Sequence, residues 1–222
     1  MGRTVVAIDG PAASGKSTVA RRLARRLGFV YLPSGAFYRA LALRALESGT
    51  PLDDEAALAE LAEGTDVELR LADGETRVLA EGRDVTEALG SSAVAEAASQ
   101  VSVFPAVRRR MVSLQRAAAR GRGVVAEGRD MASVVFPEAE HKFYLDASPQ
   151  ERARRRAREL RERGEEADEA ALAEELAGRD RRDSSRATAP LRQTPDAVRV
   201  DTTALGVEEV VRRLLGHVGA AG

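Results

Sequence analysis

The sequence predicts an α/β fold built on a mainly parallel sheet, on three observations. Apolar runs of strand length recur at Thr4 to Ile8, Phe29 to Leu32, Gly123 to Ala126, Lys142 to Leu145 and Ala197 to Val200. Most are followed by a long segment of helical character, the alternation that parallel strands need for their crossovers. The length, 222 residues, suits one substantial domain, or a core with a small inserted lobe, and not two full-sized ones.

Taken in order, the first run feeds a glycine-rich loop and then a helix beginning at KSTVARRLARRL. After the second run, Ser34 and Gly35 open AFYRALALRALE, which stops at Gly49. Residues 66–85, DVELRLADGETRVLAEGRDV, break the pattern: Val67, Leu69 and Leu71 alternate with charged residues, the chain turns at Asp73 and Gly74, and it returns through Val78 and Ala80. That is an antiparallel hairpin with a third short strand around Asp84. A hairpin between α/β units is an insertion, either decoration on a sheet edge or a lobe that closes over a ligand. Ser148 and Pro149 supply an N-cap and a first-turn proline ahead of ERARRRAREL. A final helix runs from Val207 to Leu215 and ends at Gly216.

Composition excludes several classes. The 34 basic and 35 acidic residues nearly cancel, so overall charge calls for neither nucleic acid nor a membrane surface, and any basic patch must be local. There is no cysteine, hence no disulfide, thiolate metal site or cysteine nucleophile. His141 and His217 are too few for a histidine metal centre. The chain enters its first strand without a charged and apolar leader, and no apolar stretch approaches the roughly 18 residues that span a bilayer, so a soluble cytoplasmic protein is expected.

GPAASGKS, residues 10–17, matches G-x-x-x-x-G-K-[ST] between a strand and a helix, the context that gives the pattern its physical meaning. Gly10 and Gly15 let the backbone curl so that its N–H groups converge on phosphate oxygens, and the positive end of the next helix adds to the attraction. Only two of the 34 basic residues are lysines, and one is Lys16, a compact cation on a flexible stem suited to the β and γ phosphates where arginine's rigid fork is not. Ser17 offers a hydroxyl to Mg2+. The expected ATP-binding stretch is Gly10, Pro11, Ala12, Ala13, Ser14, Gly15, Lys16, Ser17 and Thr18. A glycine turn that binds nothing is the alternative, and a chance match anywhere in such a chain is roughly one in several hundred. The loop alone leaves open a GTPase, an ATPase motor, a small-metabolite kinase or a nucleotide kinase.

A phosphorylated acceptor brings charge that guanidinium groups can neutralise. Candidates cluster at Ser34, Tyr38 and Arg39; at Arg108; at Arg129 and Asp130; and at Arg179, Asp183 and Arg186 in GRDRRDSSRATAPL. Glu127 ends the third apolar run, where parallel sheets place ligand-facing residues, though it could simply cap the next loop. Taken singly, each can be surface charge. Arg152, Arg154, Arg155, Arg156 and Arg158 form either the wet face of a salt-bridged helix or a lid that brings positive charge over ATP.

Several motifs then agree. IDGPAASGKSTVARRLARRLGFVYLPSGAFYRALAL, AASQVSVFPAVRRRM, VVAEGRDMASVVFPEA and RDRRDSSRATAPL resemble, in this order, the signatures of the bacterial cytidylate kinase family, from about residue 4 to residue 213. The resemblance implies the P-loop nucleoside monophosphate kinase fold: a single domain over 1–222, a five-stranded parallel core, an inserted antiparallel CMP-binding lobe at about 60–95 and a helical lid at about 150–166. It implies ATP and CMP or dCMP as substrates, Mg2+ as cofactor, and a monomer without nucleic acid or membrane partners. Ser99, Arg108 and Asp130 match residues that read the cytosine edge. Ser34, Tyr38, Arg39 and Arg129 match those around the nucleoside and its phosphate, with Glu127 near metal or acceptor phosphate. Arg179, Asp183 and Arg186 match the group holding sugar and phosphates, with Asp183 tied to accepting deoxyribose. Lys16, Arg129, Arg179 and one or more of Arg152, Arg155 and Arg156 are the expected catalytic cations. Three positions depart from the family's usual pattern: Ser17 stands where glycine is frequent, Glu127 where aspartate is common, and Pro33 replaces an aspartate.

Rival readings predict other features. Another P-loop kinase, acting on a different monophosphate or a small metabolite, would lack the hairpin with RDxxDxxR. A GTP switch calls for NKxD, which is absent from the sequence. An RNA binder calls for net basic charge and aromatic platforms, against a net charge of −1 and 4% aromatic residues.

Overall fold

A computed structural model describes residues 4–72, 75–186 and 188–219. In chain order the elements are β1 (Val5–Asp9), α1 (Lys16–Leu27), β2 (Val30–Pro33), α2 (Ser34–Ser48), α3 (Glu55–Glu63), β3 (Val67–Ala72), β4 (Glu75–Ala80), β5 (Arg83–Asp84), α4 (Ser92–Val101) and α5 (Pro105–Ala119). There follow β6 (Val124–Gly128), a π-turn at Met131–Val135, β7 (His141–Asp146), α6 (Pro149–Glu162), α7 (Glu169–Ser185), β8 (Val198–Asp201) and α8 (Val207–Gly219).

All five expected core strands form one sheet in the order β2-β6-β1-β7-β8. β7 runs parallel to both β1 and β8, placing Asp9 opposite Tyr144 and Asp146 opposite Asp201. β6 is buried throughout, and only Val5 of β1 is partly exposed, which is why both read as unbroken apolar runs rather than alternating ones.

The helices follow from their sequences. In α1, Val19, Ala20, Leu23 and Ala24 are buried, while Arg25 and Arg26 lie in the last turn, where cations favour the helix dipole. Ser34 begins α2 as its first helical residue; the cap position is Pro33, without a side-chain hydrogen bond. Gly49 closes that helix at φ +69, a left-handed cap whose N–H returns to the carbonyls of Ala45 and Leu46. Ser148 caps α6 as expected, its Oγ accepting from Glu151 N–H at 3.3 Å. The expected stop at Gly216 is passed: α8 runs on to Gly219, with the His217 ring edge-on to the buried Phe143 ring at 5.9 Å between centroids.

The hairpin is present as a three-stranded antiparallel sheet, β3-β4-β5. Val67 lies opposite Ala80 and Leu69 opposite Val78, and all four are buried. Leu71 departs from expectation: it is 53% exposed, paired with Thr76 at the far end of the hairpin. The expected turn at Asp73 and Gly74 lies outside the described residues. Glu81 and Gly82, at φ +51 and +76, make the two-residue type I′ connection to the short third strand.

The chain divides into two compact units, one of residues 28–124 and the other of 4–27 with 125–219. The three-stranded sheet lies in the first unit together with α2 to α5. Phe37, Leu41, Leu58 and Met111 fill the first unit; Ile8, Leu23, Met131, Phe143, Leu145 and Leu214 fill the second.

Candidate active site

In the second unit, the glycine-rich loop leaves β1 at Gly10. A Cβ there would lie 2.1 Å from the Leu145 carbonyl oxygen, so any other residue would push the strands apart. Ala13 and Gly15 take positive φ values of +57 and +86, which curl the backbone before α1. Lys16 is buried and donates from Nζ to the Pro11 carbonyl at 3.0 Å. Ser17 and Thr18 are exposed, and Ser17 Oγ donates to Glu127 Oε1 at 3.0 Å.

Two arginines of α6 grip this loop from its carbonyl side. Arg152, buried, donates to the carbonyls of Ala12 (3.3 Å) and Ala147 (3.2 Å) and pairs with Asp180 at 2.5 Å. Arg155 donates to the Ser14 carbonyl at 3.2 Å and to Thr202, whose own hydroxyl donates to the Ser14 carbonyl at 3.1 Å. Ala12 also packs with Ala153 and Leu176. Arg156 does not join them; it pairs with Glu159 on its own helix. Arg154 and Arg158 form the wet face weighed above, each at least 70% exposed.

The acceptor-side candidates of this unit meet around Asp183. Arg129 Nε donates to Asp183 Oδ2 at 2.7 Å, and Arg186 pairs with the other carboxylate oxygen. Burial pushes the Asp183 carboxyl up, but the charges of Arg129 and Arg186 and the Arg129 hydrogen bond outweigh it and hold the group below its usual range. For Lys16 the balance goes the other way: desolvation, then the charges of Arg129 and Arg179, lower it to about 7. Asp130 is buried beside this group, while Arg179 is exposed.

In the first unit, Arg108 is buried, donates to the Ser102 carbonyl at 3.2 Å and lies 5.6 Å from the centroid of the Tyr38 ring. Arg39 donates to the Leu89 carbonyl, and Ser34 is buried in the first turn of the same helix. Ser99 is exposed on α4, its carbonyl accepting from the Ser102 hydroxyl. Tyr38 and Arg108 are therefore brought together, and Ser102 links Ser99 to Arg108.

Sequence reasoning missed Asp9, Tyr144 and Thr202; it counted Asp180 in the arginine and aspartate run of residues 179–186, without its partner Arg152. Asp9 could have been found by the signal that flagged Glu127, an acid at the C-terminal end of an apolar strand. Tyr144 is half-buried, and its hydroxyl is pushed up by burial and by the charges of Asp146, Asp180 and Asp9. Thr202 carries no local signal, since its partners Ser14 and Arg155 lie 188 and 47 residues away.

The profile of the family described as Cytidylate kinase matches residues 6–219. The chain belongs to the cytidylate kinase family. A relative named cytidylate kinase from Symbiobacterium thermophilum is 52% identical over 214 residues, spanning 96% of this chain and 95% of the relative. Another of that name from Geobacillus kaustophilus is 53% identical over 213 residues, spanning 96% and 95%. Among solved structures, a gluconokinase from Sinorhizobium meliloti matches with a TM-score of 0.50 at 14% identity, over 98% of this chain and 92% of that one, a likeness of fold alone.

Proposed function

We propose that the chain transfers the γ-phosphoryl group of ATP to the phosphate of CMP or dCMP, giving ADP and CDP or dCDP. One observation carries the phosphoryl-transfer half of this reading. Lys16 is buried, and desolvation first, then the charges of Arg129 and Arg179, lower it to about 7; a bound polyanion relieves that crowding of positive charge. The nucleotide half rests on family membership together with the buried Asp130, a carboxylate able to accept from the exocyclic amine that distinguishes cytosine from uracil.

The transfer asks little covalent chemistry of the protein. It needs in-line positioning, neutralised charge and exclusion of water, and no histidine base. On this reading residues 10–18 hold the ATP phosphates, while Lys16, Arg129 and Arg179 face the transferring group. Arg152 and Arg155 act from α6, within the lid assigned to residues 150–166, by holding the carbonyls of Ala12 and Ser14. Ser34, Tyr38, Arg39, Ser99 and Arg108 serve the nucleoside, and Asp183 with Arg186 the sugar and phosphates.

Ser17 and Glu127 fit Mg2+: both offer hard oxygen donors, and they already touch. Among the described residues no group of three or more acidic or histidine side chains is arranged to hold a metal. When bound, Mg2+ neutralises charge on the β and γ phosphates. The reading takes a monomer, placed in the cytoplasm.

Coupled ADP release with a panel of CMP, dCMP, UMP, AMP, dTMP and shikimate tests the reading. CMP and dCMP should give the highest kcat/KM. Asp130→Asn should erode the CMP over UMP preference by about 10- to 100-fold, the worth of one directional base contact. An unchanged ratio would remove Asp130 from base recognition.

A further inference from the structure

Asp9 closes β1 and directly precedes Gly10, yet no step above uses it. Its side chain is 2% exposed, and both carboxylate oxygens are engaged: Oδ1 accepts from Met131 N–H and Oδ2 from Ala132 N–H, each at 2.8 Å. Those two amides open the π-turn Met131–Val135, whose Val134 and Val135 N–H groups return to the Asp130 carbonyl. Asp130 is thus clasped from both sides, through its own carbonyl and through the two amides that follow it. Buried charge is costly, and here desolvation, with Asp130 adding to it and Lys16 opposing it, raises the Asp9 carboxyl to about 6. A position that needed only filling would hold a neutral residue. What a neutral amide cannot do is accept from two successive N–H groups, one at each oxygen.

We propose that Asp9 is a positioning residue: it fixes Arg129 and Asp130 in register with the phosphate loop it adjoins in sequence, and so sets how strongly cytosine is preferred over uracil. The inference rests on the CMP kinase reading. Asp9 touches no substrate; it acts through the segment that does. Asn in its place turns an NH2 group toward one of the two amides, so that the turn shifts and Asp130 loses its aim. Displacements of about 1 Å in such positioning groups cost on the order of 100-fold in rate.

The test compares wild type, Asp9→Asn, Asp130→Asn and the double variant, measuring kcat/KM for CMP and for UMP and the Kd for ATP. Expected for Asp9→Asn is a fall of about 10- to 100-fold in kcat/KM for CMP, a smaller fall for UMP, and an ATP Kd within about twofold of wild type. In the double variant the loss of CMP/UMP discrimination should fall well short of the product of the two single losses, because both act on one group. A folded Asp9→Asn with the wild-type CMP/UMP ratio overturns the proposal, as does full multiplicativity. Should Asp9→Asn fail to fold, Asp9→Glu decides: it keeps both acceptors but displaces the turn, so a changed ratio at unchanged ATP affinity supports the proposal and an unchanged ratio overturns it. A wild-type chain that turns over neither CMP nor UMP would instead remove the reading on which the inference rests.

Discussion

Lys16 is a cation that its own neighbours make reluctant to stay charged. Desolvation, with Arg129 and Arg179, brings it to about 7 from the ordinary 10.5. The unfolded chain therefore binds a proton between about pH 7 and 10.5 that the folded, nucleotide-free chain does not, so this group's contribution to stability rises with pH across that window. Triphosphate should restore the charge. ATP binding near pH 8 is expected to take up a fraction of a proton, seen as a dependence of calorimetric binding heat on the ionisation enthalpy of the buffer. In Lys16→Met, which still binds ATP through the loop's backbone, that dependence should vanish. Sequence makes the identity of this lysine legible, because strand, glycines and helix surround it within a few residues. Its shifted charge is not legible, because Arg129 and Arg179 reach it from more than 100 residues away. Asp9 is hidden for the same reason, its two partners lying 122 and 123 residues along the chain.

α6 reads from sequence as an arginine-dense helix, and the question it poses is which arginines matter. Most of its pairs are exposed and worth about 1 kcal/mol or less each. Arg152 differs, since its pair with Asp180 is buried and the same guanidinium holds the Ala12 carbonyl. Arg152→Ala strands a mostly buried carboxylate and should cost about 3 to 5 kcal/mol. For a chain of this size that is a fall in Tm of about 6 to 20 °C in the nucleotide-free protein, read by calorimetry. Arg152→Met with Asp180→Leu should recover much of the loss, since the pair itself is worth less than the penalty for breaking it. Arg158→Ala should move Tm by no more than about 2 °C. Helical spacing alone could not rank these arginines, because rank depends on what α7 and the loop place against them.

The alternation of apolar runs with helical segments yields the parallel sheet, and the hairpin's alternation yields the second sheet, because both patterns repeat locally. Leu71 and the end of α8 escape that logic: the first lies beyond the hairpin's buried rows, and the last turn of the second sets His217 against Phe143, more than 70 residues away. The extent of the two units also escapes it, since packing among distant helices sets their limits. Saturating ATP, at about 100 times its Kd, should stabilise the chain by about 2.7 kcal/mol and raise Tm by about 5 to 11 °C. Hydrogen exchange should show the added protection first in residues 4–27 and 125–219, the unit that carries the loop. The loop's anchors have a consequence in time. Thr202, whose hydroxyl holds the Ser14 carbonyl, follows Ser14 by 188 residues in synthesis. At synthesis rates of about 5 to 20 residues per second, that is a delay of about 10 to 40 s. Until β8 is made, the nascent chain carries a phosphate-binding sequence without the clamps that shape it.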